Sequence, residues 1–136
     1  MVTLDQIAIV VEEDDASNRM VPALLRELLD ALDGFLRDGT RHCLDLATLP
    51  LGHAGRHALE EALGQGEIDA RVSVLGSSRV RETAFTGIWW LRHEDDNGAL
   101  LCEQIEVTDL PEILRADRGD IEAASARLAA LAASLN

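Results

Sequence analysis

The sequence predicts an α+β fold, a largely antiparallel sheet of about four to five strands with helices packed on one face. Three observations predict it. An unbroken apolar stripe at helical spacing occupies residues 21–36, a two-residue alternation begins at residue 67, and an Asp-Asp-Asn-Gly turn separates two further strand-like runs. The 136 residues read as one domain. A chain of that length buries roughly two-thirds of its extended surface, enough for a core without a disulfide or metal staple.

Residues 2–11 (VTLDQIAIVV) read as an edge strand or a flexible segment, followed by an acidic linker at 12–15, so that 1–16 stand apart from the packed body. Val21, Leu24, Leu25, Leu28, Leu29, Leu32, Phe35 and Leu36 then fall at i, i+3, i+4 and i+7 spacings and predict a helix over 22–38. Pro22 suits its first turn and Gly39 the position just past its end. A short strand follows at 41–46, closed by Thr48-Leu49-Pro50, and a second helix at 54–63, ended by Gly64 and Gly66.

From residue 67 to 75 the apolar residues Ile68, Ala70, Val72 and Val74 alternate with Asp69, Arg71 and Ser73, the pattern of a half-buried strand. Gly76-Ser77-Ser78 turns the chain into a strand at 79–85, and another runs from 87 to 93. Asp95-Asp96-Asn97-Gly98 is the strongest local signal, because Asn-Gly supplies the positive φ angles of a tight hairpin. Residues 99–107 form its return strand, Pro111 opens a helical turn, and Asp120 caps a last helix to about residue 135. Its apolar positions are nearly all Ala and Leu, so close packing is expected.

The formal net charge is −13, from 25 acids and 12 bases, all of them arginine. That sign argues against nucleic acid and anionic lipid, which need a basic footprint. No apolar run approaches the ~18 residues of a membrane span. The N-terminus lacks the basic flank and cleavage site of a signal peptide, so a cytoplasmic protein is expected. Cys43 and Cys102 lie far apart in apolar segments and read as reduced core thiols.

Neighbouring residues on a strand face opposite ways, so Trp89 and Trp90 cannot form one aromatic patch. A two- or four-residue hairpin loop puts Ile88, Trp90 and Arg92 on one face with Glu103, Ile105 and Val107. Trp89, Leu91 and His93 then share the other with Cys102, Gln104 and Glu106. The first face is mostly apolar and meets the core. The second leaves Trp89 either as a covered surface aromatic or as a half-exposed contact anchor. Glu82 sits between Val80 and Ala84 and needs a partner: Arg71, Arg81, or a bound molecule.

Catalytic and metal patterns are weak. His53 and His57 lie four apart but lack further ligands and the glutamate of a metalloprotease helix. His93 with Glu94, Asp95, Asp96 and Cys102 is a hairpin-end group of ligand-capable side chains, and it reads first as a solvated turn. No glycine-rich phosphate loop or nucleophile elbow is present. A general acid at Glu82 has no second group at a useful spacing.

Gly66-Glu67-Ile68 with Ala70, Glu82-Thr83, Gly87-Ile88-Trp89-Trp90, Ile105-Glu106-Val107 and Pro111-Glu112-Ile113-Leu114, in that order, resemble the C-terminal domain of the HupH/HyaF hydrogenase expression proteins, including the shorter HupJ/HoxT-type members. The resemblance spans roughly residues 22–128. It implies a non-catalytic accessory protein, a chaperone in NiFe hydrogenase maturation. The partner implied is a hydrogenase subunit or assembly intermediate, the iron–sulfur small subunit foremost, with other maturation factors beside it. The longer members carry an N-terminal region without a counterpart here, which implies a short, HupJ-like role. Glu82, Thr83, Trp89, Trp90, Glu106 and Pro111 correspond to the motif and are the candidate partner-binding or structural positions. No catalytic residue and no cofactor carry over. A homodimer stays open. The alternative is a metal or iron–sulfur handling protein using His93, Cys102 and nearby acids, with His53 and His57 as weaker candidates.

Overall fold

A computed structural model describes residues 4–73 and 76–136, with side chains from Arg19 onward. The chain runs α1 (Leu4–Asp38), β1 (His42–Asp45), α2 (Gly52–Leu63), β2 (Asp69–Val72), β3 (Ser77–Glu82), β4 (Ile88–Glu94), β5 (Leu100–Val107) and α3 (Arg118–Ser134). Short 3-10 turns at Leu46–Thr48 and Glu112–Leu114 complete it. The five strands form one antiparallel sheet in the order β1-β5-β4-β3-β2. The predicted α+β class is the one observed.

Three expectations about the helices are corrected. Residues 4–11 belong to α1 instead of a strand, and Pro22 lies inside that helix, not in its first turn. Leu4, Ile7, Ala8 and Val11 keep helical spacing upstream of the proline, which the short apolar run disguised as a strand. Met1, Val2 and Thr3 lie outside the described residues, as do Val74 and Leu75 of the expected strand at 67–75. The last helix is capped by Asp117, whose carboxylate accepts the Gly119 N–H at 3.0 Å, and not by Asp120.

Helices α1 and α2 cover one sheet face. Val21, Leu24 and Leu28 of α1 and Leu59 and Leu63 of α2 pack on Leu44, Ile88, Trp90, Ile105 and Val107. The hairpin register is the expected one: Trp90 opposes Ile105, Arg92 opposes Glu103, and Trp89 opposes Glu106. An irregularity falls between His93 and Glu94, beyond the residues whose facing it would have inverted. Asp95 Oδ1 accepts the Asn97 and Ala99 N–H groups, and Gly98 adopts φ 82°, closing the turn.

The outer face carries a second, smaller core. Val80, Trp89 and Leu91 are buried there under Ile113 and Leu114. The chain therefore crosses from the end of β5 over the outer face before entering α3. No residue of α3 is buried, so the close packing expected of its alanines and leucines is absent among the described residues.

Candidate functional site

Most of the motif residues meet at one end of the sheet, where β3 leaves, β4 enters and β5 ends. Thr83 is buried; its hydroxyl donates to the Ile88 carbonyl at 2.9 Å and accepts the Phe85 N–H at 3.2 Å, closing the β3–β4 connection. The Trp89 indole N–H donates to the Thr108 carbonyl at 3.0 Å, and Thr108 N–H returns a bond to the Gly87 carbonyl. Pro111 is fully buried and starts the turn that lays Ile113 and Leu114 against Trp89. The indole is only 3% exposed. Of the two readings of Trp89, the covered aromatic is the one observed and the half-exposed anchor is not. A strand alternation assigns Trp89 to the outer face but not whether a later segment covers that face.

Trp90 is also buried, on the inner face, and its N–H donates to Glu103 Oε2 at 3.0 Å. Glu103 is the one deeply buried carboxylate among the described residues, 4% exposed. Arg56 Nε of α2 lies 3.0 Å from its Oε1, but the N–H is not aimed at that oxygen, so the contact is an ion pair without a proper hydrogen bond. Arg92 stands 3.8 Å from Oε2. This cluster pins the α2 N-terminal half to the hairpin. The sequence pattern placed Arg92 opposite Glu103, but Arg56 comes from an element whose docking no local pattern specifies.

Glu82 pairs with neither Arg71 nor Arg81. Its Oε1 accepts the Glu67 backbone N–H at 3.0 Å, and Arg81 bonds Glu60 instead. A side chain at Gly66 would overlap the Glu82 carboxylate and the Thr83 carbonyl, which explains why glycine stands there. Glu82 thus closes a loop.

Of the six candidate positions, Glu82 and Glu106 are the two that are not buried; Glu106 is the one that borders an open cleft. Together with Arg41, His42, Cys43, Val107 and Thr108 it lines an open cleft of about 230 Å³ where β1 meets β5. Gln104 donates to Glu106 Oε1 at 2.9 Å, and Cys43 lies directly across the strand pair. Arg41 holds Glu112 at 2.8 Å, tying β1 to the crossing segment. The cleft offers a partly paired carboxylate, a guanidinium and a thiol on a face that α1 and α2 leave bare. Arg41 and Cys43 were not readable as site residues, since strand order decides which strand borders β5.

Cys43 is exposed and Cys102 half-buried. Desolvation against the sheet, then the Glu106 carboxylate, push the Cys43 thiol above its ordinary range. Desolvation, then Asp45 and Glu103, do the same for Cys102. Thiols held protonated are poor ligands and nucleophiles. His93 Nδ1 lies 2.7 Å from the Ser78 hydroxyl, His57 meets Glu61 across one helical turn, and His53 is exposed. Among the described residues no three His, Cys, Asp or Glu side chains gather closely enough to hold a metal ion. No described helix is long and apolar enough to cross a membrane.

Residues 19–135 match the family model of the HupH hydrogenase expression protein, C-terminal conserved region. The hydrogenase expression/formation protein HoxQ of Azotobacter vinelandii is 32% identical over 107 residues, covering 77% of this chain and 38% of that one. The hydrogenase-1 operon protein HyaF of Escherichia coli is 31% identical over 91 residues, covering 67% of this chain and 32% of its own. Among solved structures, the hydrogenase expression protein HupH from Thiobacillus denitrificans superposes with a TM-score of 0.81 at 36% identity, over 84% of this chain and 95% of that one. The chain thus spans about two-fifths of the length of curated relatives such as HoxQ.

Proposed function

The chain belongs to the HupH hydrogenase expression protein family, and from that premise we propose that it is a non-catalytic chaperone in NiFe hydrogenase maturation. It binds a hydrogenase subunit or assembly intermediate, with the iron–sulfur small subunit the favoured partner, in the cytoplasm and alongside other maturation factors. HoxQ is named for hydrogenase expression and formation and HyaF for the hydrogenase-1 operon, which supports the process and leaves the partner as part of this reading.

The observation that carries the binding assignment is the division of labour within the motif. Thr83, Trp89, Trp90 and Pro111 are buried in the fold, whereas Glu106 reaches solvent in a cleft where β1 meets β5, on the sheet face away from α1 and α2. Glu82 is equally half-buried but is taken up by the Glu67 N–H of its own loop, so Glu106, in its cleft beside Arg41 and Cys43, is the candidate side chain best placed to meet a partner. Capture of each hydrogenase subunit by the tagged full chain tests this. Glu106→Arg reverses the charge at the cleft and should cut small-subunit capture by at least tenfold, with an unchanged circular dichroism melt. Undiminished capture by a folded Glu106→Arg protein would remove the cleft from the interface; capture of no subunit by the wild type would refute the function.

A further inference from the structure

The apolar stripe of α1 is wider than the face it buries. Val21, Leu24 and Leu28 enter the core; Leu25, Leu29, Leu32 and Leu36 follow along the flank at spacings of four, three and four, Leu25 and Leu32 touching the core edge while half-exposed and Leu29 and Leu36 standing clear of it. Leu29 is 54% and Leu36 81% exposed. Beside Leu25, Leu29 and Leu32, the side chains of Ala62, Leu63 and the half-exposed Phe85 complete an apolar groove of about 260 Å³, with Leu36 one turn beyond its end. That spacing is one of a helix seam awaiting a second helix.

Helix α3 together with its C-cap residue Leu135 carries the matching seam. Ile121, Ala124, Leu128, Leu131 and Leu135 repeat at three, four, three and four. Leu128, Leu131 and Leu135 are 65%, 54% and 79% exposed. Within one chain the two seams stay apart, since every residue of α3 is exposed.

We propose that α3 of one copy docks in the α1–α2 groove of a second copy, and reciprocally, to form a dimer. Laid parallel, the seams meet in four layers: Ala124 on Leu25, Leu128 on Leu29, Leu131 on Leu32 and Leu135 on Leu36. This register sets Arg127 beside Asp33, flanking positions of opposite charge, and neither makes an ion pair among the described residues. Charge favours this surface over others. The chain carries −13 overall, so two copies repel except where charge is absent or balanced. α3 is balanced, with Arg118 and Arg127 against Asp120 and Glu122, and the groove is lined by apolar side chains alone. Area is sufficient as well, because two docked helices would bury on the order of 1,500 Å² in total, the size of a stable specific interface. The dimer is independent of which hydrogenase subunit the chain binds, or whether it binds one.

Light scattering of the full chain across concentrations decides it. The wild type should have twice the 14.8 kDa chain mass; a monomer at ~100 µM overturns the proposal. Leu131→Glu on α3 and Leu29→Glu on α1 each change an exposed position, so both variants should fold, and each should raise the dimer dissociation constant at least 100-fold. Mixing the two variants should restore dimers, because one interface of the reciprocal pair then has both seams intact. Disruption by Leu131→Glu but not by Leu29→Glu would show α3 pairing elsewhere and overturn the assignment. A charge exchange reads the orientation: Asp33→Arg or Arg127→Asp alone should weaken the dimer and the two together recover it, and additive weakening in the double variant would refute the parallel register.

Discussion

Replacing Trp89 separates a structural tryptophan from a binding one. The indole is 3% exposed and packs on Val80, Leu91, Ile113 and Leu114. Burial of a tryptophan removes about 200 Å² from water. At ~25 cal/mol per Å² that is worth about 5 kcal/mol, and compactness of the unfolded chain lowers it to about 3–4 kcal/mol. Trp89→Ala also leaves the Thr108 carbonyl without its indole donor, a further cost of about 1 kcal/mol. The expected loss is therefore about 4 kcal/mol, a large share of the roughly 5–15 kcal/mol that holds a domain together. Trp89→Phe retains a ring under Ile113 and should lose only about 1–2 kcal/mol, chiefly the hydrogen bond and the missing volume. Urea unfolding followed by circular dichroism gives both values, provided the slope with denaturant stays constant. Subunit capture by the folded Trp89→Phe protein should match the wild type. A loss below about 1 kcal/mol for Trp89→Ala would show that the indole is not core. Loss of capture by a stable Trp89→Phe protein would return it to the interface.

Glu103→Ala strips the buried carboxylate from Arg56 and Trp90 and should cost about 3 kcal/mol in urea unfolding, whereas Glu103→Gln, which still accepts from the Trp90 N–H, should cost clearly less. Gly66→Ala forces a methyl into the Glu82 carboxylate and the Thr83 carbonyl and should destabilise by about 1–3 kcal/mol. Adding Glu82→Ala should not rescue it, because the backbone carbonyl remains, and full rescue would mean the clash is with the carboxylate alone. Cys43 should react with iodoacetamide along a pH profile whose midpoint lies above that of free cysteine, about 8.5, since its pKa is raised and the thiolate forms only at higher pH. Glu106→Gln removes one of the charges that raise it, so the midpoint should move part of the way back; a midpoint below free cysteine would contradict the environment described. Asp69 is held below the usual carboxylate range first by its hydrogen bond from Arg79, so its contribution exists above about pH 4 and disappears as pH falls through the depressed value. Asp69→Asn should flatten that part of the stability profile, and an unchanged acid limb would refute the assignment.

Local pattern carried much of the fold because local physics decides it. Period-two alternation and Asn97-Gly98 determine the hairpin and hence the facing of every residue from Ile88 to His93. Its limits have the same origin. Periodicity says that Leu25, Leu29, Leu32 and Leu36 share a side of α1, yet it cannot tell a stripe facing its own sheet from one facing another helix. Alternation assigns Trp89 to the outer face, yet Ile113 and Leu114, some two dozen residues later, decide its burial. Arg41 and Cys43 reach Glu106 only because β1 pairs with β5, a long-range choice with no local signal. The motif is legible for a related reason. Gly66, Thr83, Gly87, Trp89 and Pro111 hold one end of the sheet through backbone contacts and close packing that few other residues satisfy, so they mark the fold more than its partner. A recognition surface must remain accessible after folding, and those side chains are spent inside. Specificity for a partner therefore has to come from the side chains that this scaffold leaves exposed, with Glu106 as the motif position standing on the boundary between the two.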